Sequence, residues 1–369
     1  MRALLRALGR PHLAVPAVIV AGTNGKGSTS AMLASILDAS GYRTGLYTSP
    51  HLVVLRERWM IGGRMIEESL LDESIGRLRA AADRTAIPPT YFEALTLIAF
   101  IAFARAACEV AVLEVGMGGR LDATNVVRPL AAVITPIGFD HTEYLGTTIR
   151  KIAGEKAGVI HRGAVVLTSN EDPVVLNVLS KRAAQFGSRF VHVEGEHDTP
   201  LAGDFQRRNA ALAVRAAEEL RARLPRITPE SIERGVASTR WRGRLEHVRY
   251  GAKNIWIDGG HNAHAAAVIA PWIEEHVPRP RTLVFGIMSD KDVDLVTQRL
   301  FPLFDRVITT EPYPPRSMRA DAFEGTVAIA DPVAALGHAL AAPEPSIVVA
   351  GSLYLAGAAV AFFDKIARP

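Results

Sequence analysis

Between an apolar run at Ala17–Ala21 and a helical pattern beginning at Ser28 stand Gly22-Thr23-Asn24-Gly25-Lys26-Gly27-Ser28-Thr29. Glycines let successive backbone N–H groups turn toward one anion. The helix N-terminus adds its positive dipole end, and a lysine brings a mobile charge to β- and γ-phosphates. The strict G-x-x-x-x-G-K-[ST] pattern is not met, because Gly27 separates Lys26 from Ser28 and Val20 replaces the first glycine. A bare glycine-rich turn is the plain alternative. Placement between strand and helix favours a nucleotide.

A second cluster, Glu114-Val-Gly-Met-Gly-Gly-Arg120-Leu121-Asp122-Ala123-Thr124-Asn125, begins where another apolar strand ends. A carboxylate at the carboxyl edge of a parallel sheet lies beside a phosphate loop, where Mg²⁺ can bridge it to ATP. A turn with a capping Asp is the competing reading. Asp140-His141 follows a third such strand, and alone His141 would be an undistinguished loop histidine. Lys156, near the end of a helical stretch, reads most simply as a charge complementing the helix dipole. Gln206-Arg-Arg-Asn209 opens an amphipathic helix, and Asp258-Gly-Gly-His261-Asn262-Ala-His264 has the form of a site loop after a strand. Zinc at His261 and His264 lacks a third ligand, and Ser352 lacks any G-x-S-x-G context for hydrolase chemistry.

The elements that must position these residues alternate. Short β-branched runs near 17–21, 44–48, 110–115 and 131–135 are separated by helical patterns at 28–40, 66–84, 91–107 and 148–157. A strand–helix–strand follows over 163–193, then a helix from Gln206 to Arg223. The stretch 49–64 reads as a long functional loop. After Ser238–Leu245 a fresh series begins, with strands near 254–258, 282–286, 305–309, 326–330 and 346–350 and helices near 264–275, 292–303 and 332–341. Alternation of this kind predicts mostly parallel sheets covered by helices. We expect a P-loop-type α/β domain over 1–239 and a smaller Rossmann-like α/β domain over 240–369.

Composition narrows the class. In 369 residues, 49% are apolar and 22% charged, which excludes disordered, collagenous and coiled-coil chains. Net charge is +4, and the basic surplus collects between Lys181 and Tyr250, where 14 Lys/Arg face 9 Asp/Glu. That is a solvated face rather than a nucleic-acid surface. One cysteine, Cys108, precludes an internal disulfide. The longest apolar run, Ala94–Ala104, is too short to span a bilayer. Cleavage of a signal-like N-terminus would destroy the glycine motif, so a cytoplasmic protein without membrane or nucleic-acid partners is expected.

In order, the motifs resemble the folylpolyglutamate synthase/dihydrofolate synthase family of the Mur-ligase superfamily. The matching pieces are GTNGKGST (22–29), YTSPHL (47–52), TYFEALT (90–96), EVGMGGRLDATN (114–125), ITPIGFDHTEYLG (134–146) and IAGEKAG (152–158). FQRRNAA (205–211), GRLE (243–246), DGGHNAHA (258–265), SDKD (289–292) and GSLYLAG (351–357) continue the series. The resemblance implies a monomeric ligase that forms an acyl phosphate from ATP and a pterin-type carboxylate. L-glutamate then attacks it, releasing ADP and phosphate. Phosphoryl transfer of this kind depends on positioning and charge neutralisation in a dry cleft.

The same resemblance implies roles residue by residue. Thr23, Asn24, Gly25, Lys26, Gly27 and Ser28 would bind ATP, with Asn209, Arg244 and Asp258 also on the nucleotide. Ser49 and Glu114 would hold one Mg²⁺, and His141 with Glu114 a second, with K⁺ as a further ion. Lys26, Lys156 and His261 would be catalytic, Lys156 as a carbamate able to ligate metal, which replaces the helix-dipole reading. Thr90, Tyr91, Phe92, Glu93, Leu121, Asp122 and Ala123 would line the acceptor pocket. Three departures bear on the acceptor. Only 21 residues precede Gly22, where the family has a longer segment helping to form that pocket; GDFQ lacks the usual histidine; and DGGHNAH lacks the usual proline. A Mur-type ligase for another carboxylate and a nucleotide-binding paralogue without ligase activity are the alternatives.

Overall fold

Strands buried on both faces read as short, wholly apolar runs rather than alternating ones. Ala17–Ala21, Val110–Glu114 and Ala131–Ile134 are buried throughout. The computed structural model describes residues 1–366. The last three residues of the expected 240–369 domain therefore lie outside the described residues. Two units result. The first holds Met1–His51, Leu55–Pro200 and Gln206–Arg240, and the second holds Leu52–Val54, Leu201–Phe205 and the chain from Trp241.

The first unit runs α1 (Arg2–Ala7), β1 (Ala17–Ala21), α2 (Lys26–Ala39), β2 (Thr44–Tyr47), β3 (Trp59–Ile61), β4 (Arg64–Met65), α3 (Glu68–Thr85), α4 (Tyr91–Arg105) and β5 (Val110–Glu114). It continues with β6 (Ala131–Ile134), α5 (Thr142–Leu145), α6 (Ile149–Ala157), β7 (Val165–Thr168), α7 (Pro173–Gln185), β8 (Phe190–His192), α8 (Asp204–Leu220) and α9 (Pro229–Ser238). The sheet order is β4-β3-β2-β5-β1-β6-β7-β8, parallel from β2 to β8. The β3–β4 hairpin, with β3 antiparallel to β2, falls at the end of the 49–64 stretch expected to be a loop and runs one residue past it. Its runs of two and three residues carry too little periodicity to be read. Helix α1 also went unread, because its arginines and leucines resemble a leader.

Register places the chemistry. Tyr47 pairs with Leu113, Val20 with Glu114, and Ala21 with Ile134. The carboxyl ends of β2, β5, β1 and β6 therefore stand side by side, and the loops that follow open on one edge. Beneath them α2 is held by α9. A Cβ on Gly235 would lie 2.3 Å from Ile36 Cα, Ser35 Oγ donates to the Gly235 carbonyl at 2.6 Å, and the Ser40 and Ser231 hydroxyls meet at 2.7 Å.

The second unit comprises β9 (Glu246–Tyr250), β10 (Lys253–Ile257), α10 (Ala263–His276), β11 (Arg281–Phe285), α11 (Val293–Leu300), β12 (Arg306–Thr309), β13 (Val327–Ala328), α12 (Pro332–Ala341), β14 (Ser346–Ala350) and α13 (Leu353–Ile366). Strand order is β13-β12-β11-β14-β10-β9, parallel except for β9. β9 was missed because an exposed edge strand has only one neighbour to reward apolar residues. Leu52 packs in this unit: a Cβ on Gly357 of α13 would lie 1.9 Å from its carbonyl oxygen. No helix among the described residues is long and apolar enough to cross a membrane.

Candidate active site

The loop between β1 and α2 is built around glycines at two points. Gly22 has φ +149°, and a Cβ there would overlap Thr135 Oγ1 at 1.8 Å. Gly25 caps α2 with φ +83°, a left-handed conformation in which other residues are strained. The N–H groups of Thr23 and Asn24 donate to the Pro136 carbonyl at 2.9 and 3.3 Å, and Thr23 Oγ1 donates to the Gly138 carbonyl at 3.1 Å. These bonds seat the loop on the chain leaving β6. Lys26 Nζ donates to the Thr23 carbonyl at 2.9 Å, folding its charge over the loop it serves.

Glu114 ends β5 and is buried; its Oε2 accepts from the Ser49 N–H at 3.1 Å. A carboxylate and a serine hydroxyl are hard oxygen donors. Mg²⁺ commonly takes one or two carboxylates and completes its shell with water and nucleotide phosphates. Ser49 and Glu114 fit that ion. Among the described residues no cluster of three or more His, Cys, Asp or Glu could hold a metal by itself. His141, beyond β6, has left-handed backbone (φ 51°), with Nε2 3.9 Å from Asp140 Oδ1. Glu114 thus ends one strand flanking β1, and His141 lies beyond the strand flanking it on the other side.

Lys156 is buried at 4% exposure, and its Nζ donates to the Gly22 carbonyl at 2.6 Å. It does not serve the end of its own helix. Burial, with Lys26 nearby, pushes its ammonium down to about 7, partly offset by Asp140 and Asp122. The helix carrying it is clamped to the loop after β5. Arg120 holds Glu155 through Nε and Nη2, and its N–H donates to the Glu155 carbonyl at 2.8 Å. Asn125 Nδ2 donates to the carbonyls of Arg120 and Gly158, leaving Oδ1 to accept from His161 Nε2 at 2.7 Å. A Cβ on Gly158 would stand 2.4 Å from Arg120 Cα. Arg120, Asn125 and Gly158 fall within the motifs quoted above and His161 just beyond them, and the sequence alone gives none of the four a role. The Gly-Gly-Arg and Ala-Gly pairs were the available signal.

The expected acceptor residues divide. Leu121 is 80% and Tyr91 66% exposed, so both present apolar surface outward. Phe92 packs on the loop after β5: a Cβ on Gly116 would lie 2.4 Å from its Cζ. Thr90 and Glu93 form the capping box of α4, with Glu93 Oε2 accepting from Thr90 N at 2.9 Å. Asp122 turns into its own loop, accepting from the N–H groups of Gly116, Met117 and Thr124 and from Thr124 Oγ1. Ala123 is buried. These four shape the loop and helix that present Leu121, Tyr91 and Phe92.

Asn209 in α8 is buried, and a Cβ on Gly25 would lie 2.4 Å from its Oδ1. Ser28 is buried in the first turn of α2. In the second unit, Asp258 directly follows β10, and both its carboxylate oxygens accept hydrogen bonds. Its Oδ2 accepts from Leu245 N at 2.9 Å and its Oδ1 from Gly260 N at 2.7 Å. Burial raises its carboxyl, against the pull of Arg244. Arg244 Nη1 donates to the Gly243 carbonyl at 2.9 Å within its own turn, and the Gly259 N–H donates to that same carbonyl at 3.0 Å, tying the 243–246 turn to the 258–261 loop. His261 Nδ1 lies 3.0 Å from the Gly259 carbonyl, which assigns the ring proton to Nδ1. His264 falls in the first turn of α10, capped by Asn262, and burial lowers it.

Residues 20–192 match the Mur ligase middle domain, and residues 243–353 match the Mur ligase, glutamate ligase domain. The folylpolyglutamate synthase of Lacticaseibacillus casei is 33% identical over 392 residues, spanning 96% of this chain and 91% of that one. The dihydrofolate synthase/folylpolyglutamate synthase of Bacillus subtilis is 34% identical, spanning 81% and 77%. A crystal structure of Mycobacterium tuberculosis folylpolyglutamate synthase complexed with ADP and AMPPCP superimposes with a TM-score of 0.90 at 32% identity, covering 98% of this chain and 94% of that one.

Proposed function

Since the chain belongs to the folylpolyglutamate synthase/dihydrofolate synthase family of Mur ligases, we propose how its own residues carry out that family's chemistry on this scaffold. It is an ATP-dependent, ADP-forming ligase that adds L-glutamate to a folate-type carboxylate. The observation carrying the proposal is the convergence on one sheet edge of the Gly22–Lys26 loop, the Ser49–Glu114 contact and Lys156.

In this reading the loop N–H groups and Lys26 hold the ATP phosphates, and Asn209, Arg244 and Asp258 serve the nucleotide. The acceptor carboxylate takes the γ-phosphoryl and ADP departs. The amine of glutamate attacks the acyl carbon, phosphate leaves, and the amine sheds a proton. Positioning and neutralisation supply most of the acceleration. Ser49 and Glu114 would hold one Mg²⁺ and His141 a second; bound there, the metal would neutralise phosphate charge. His261, whose Nδ1 lies 3.0 Å from the Gly259 carbonyl, would serve the phosphate and amino-acid chemistry.

Lys156 is assigned as a carbamate. An amine held near neutrality at about 7 is in the form that adds CO₂ through nitrogen and releases a proton. The product is an anion where a cation stood. Thr90, Tyr91, Phe92, Glu93, Leu121, Asp122 and Ala123 line the pocket for the pterin-bearing acceptor, dihydropteroate or a folyl-glutamate. The first unit acts as the ATP domain and the second as the ligase domain. The enzyme works as a cytoplasmic monomer with Mg²⁺ and K⁺, without nucleic-acid or membrane partners.

The test is phosphate release by purified protein with ATP, Mg²⁺ and L-glutamate, with and without 7,8-dihydropteroate or a reduced folate. Acceptor-dependent release with a product heavier by one glutamyl residue is the expected result. Release with neither acceptor, but with another carboxylate, would move the assignment to a Mur-type ligase of different specificity.

A further inference from the structure

Gln206 lies one turn before Asn209 in α8 and is completely buried. Its Oε1 accepts from Asn209 Nδ2 at 3.0 Å. Its Nε2 has no hydrogen-bond partner among the described residues. Asn209 in turn lies flat on the phosphate loop: a Cβ on Gly25 would stand 2.4 Å from its Oδ1 and 3.1 Å from its Cγ and Nδ2. Three groups form a stack in which Gln206 sets Asn209, and Asn209 covers Gly25.

A buried amide donor without a partner is costly, and native chains rarely keep one without reason. An apolar side chain of similar length would fill the same space without that cost. The amide is therefore explained by its other end, the oxygen that fixes the Asn209 carboxamide. Free to rotate, Asn209 could meet a ligand in several orientations, and choosing one on binding would weaken affinity.

We propose that Gln206 is a positioning residue of the nucleotide site: its Oε1 locks the Asn209 carboxamide against Gly25, so that Asn209 meets the nucleotide pre-oriented. This rests on the reading of Gly22–Lys26 and Asn209 as nucleotide-binding groups. Gln206 contributes to nucleotide affinity through Asn209 and not by contact of its own.

A double-mutant cycle tests it, with ADP affinity by calorimetry as the readout. Gln206→Met keeps the volume and removes both amide groups. Losing one orienting hydrogen bond should weaken ADP binding roughly five- to tenfold. Asn209→Ala should weaken it at least as much, and the double variant should be no weaker than Asn209→Ala alone, because the two act as one unit. The KM for ATP of Gln206→Met should rise by a similar factor with kcat little changed. Its thermal midpoint should stay near that of the unmodified protein, since removing the unmet donor offsets the lost bond. If Gln206→Met folds poorly, Gln206→Asn keeps the amide one methylene too short to reach Asn209, and the same loss is expected. Unchanged ADP affinity in the single variant, or additive losses in the double, would overturn the proposal. Should the unmodified protein bind ADP and turn over while the cycle is additive, Gln206 alone loses its role. Should the unmodified protein bind no ADP, the functional reading itself fails.

Discussion

The Lys156 ammonium donates to the carbonyl of Gly22, the first residue of the phosphate loop, at 2.6 Å. A helix 134 residues further along the chain is thereby fastened to the loop that meets ATP. Burial makes the charged form of this lysine expensive, which is why its ammonium is held down to about 7. In the unfolded chain the same group stays protonated to its ordinary value of 10.5. Between these values the unfolded state binds the extra proton, so folding stability rises with pH across that window. Lys156→Met should flatten this slope, as read by denaturant unfolding between pH 7 and 10. Activity should respond to added bicarbonate, more strongly as pH rises through about 7, and Lys156→Arg should abolish the response.

Lys26 folds its charge over the phosphate loop through its bond to the Thr23 carbonyl. Lys26→Ala should lower acceptor-dependent phosphate release by roughly 10²–10³-fold or more, the scale of losing one stabilising donor in a dry site. Near-normal turnover would refute its assignment.

Glu114→Gln preserves shape but removes the anionic oxygen beside Ser49. The Mg²⁺ titration of activity should move to roughly 10–100-fold higher concentration. An unmoved titration would remove Glu114 from the metal site.

Gly158→Ala probes the clamp behind Lys156. The new methyl would meet Arg120 Cα at 2.4 Å, backbone that cannot step aside as a flexible side chain can. Overpacking of this kind costs about 1–3 kcal/mol. The melting midpoint and kcat/KM should both fall. A midpoint equal to that of the parent protein would show that the loop after β5 yields freely.

Asp38, in α2, supplies a separate pH effect. Burial raises its carboxyl to about 6, against hydrogen bonds from the Thr44 hydroxyl and N–H, and its Oδ1 has no partner among the described residues. The folded state holds the proton more tightly than the unfolded chain. The associated stability is present below about pH 4 and is lost as pH rises through about 6. Asp38→Asn should raise stability at pH 8 by about 1–2 kcal/mol, discounted for partial exposure. Equal unfolding free energies at pH 8 would disprove it.

Much of the site was legible because its chemistry is local. Gly22–Lys26 declares itself through spacing between strand and helix, and Glu114 through its place at the end of an apolar run. Lys156 shows the limit of that reading. Its letters suit a helix terminus, and only the resemblance, then the packing of α6, turns it toward Gly22. Thr90 and Glu93 show a second duty of the same letters, since three-residue spacing at a helix start is the signature of a capping box. The β3–β4 hairpin and β9 escaped because edge strands of a few residues are set by the neighbour they pair with, not by their own periodicity. Gln206 could be quoted but not interpreted, for an unmet donor exists only once surroundings are known.

The joining of α2 to α9 has a consequence for how the protein is made. The helix that begins at Lys26 rests on Gly235, Ser231 and Ser238, about two hundred residues later. On the ribosome, the first-synthesised motif has no partner for that face until nearly two-thirds of the chain has emerged. A stalled or truncated product ending before Pro229 would thus carry every phosphate-loop letter and still expose an unsupported helix. Quality control would see it as unfinished, and ATP would find its loop unsettled.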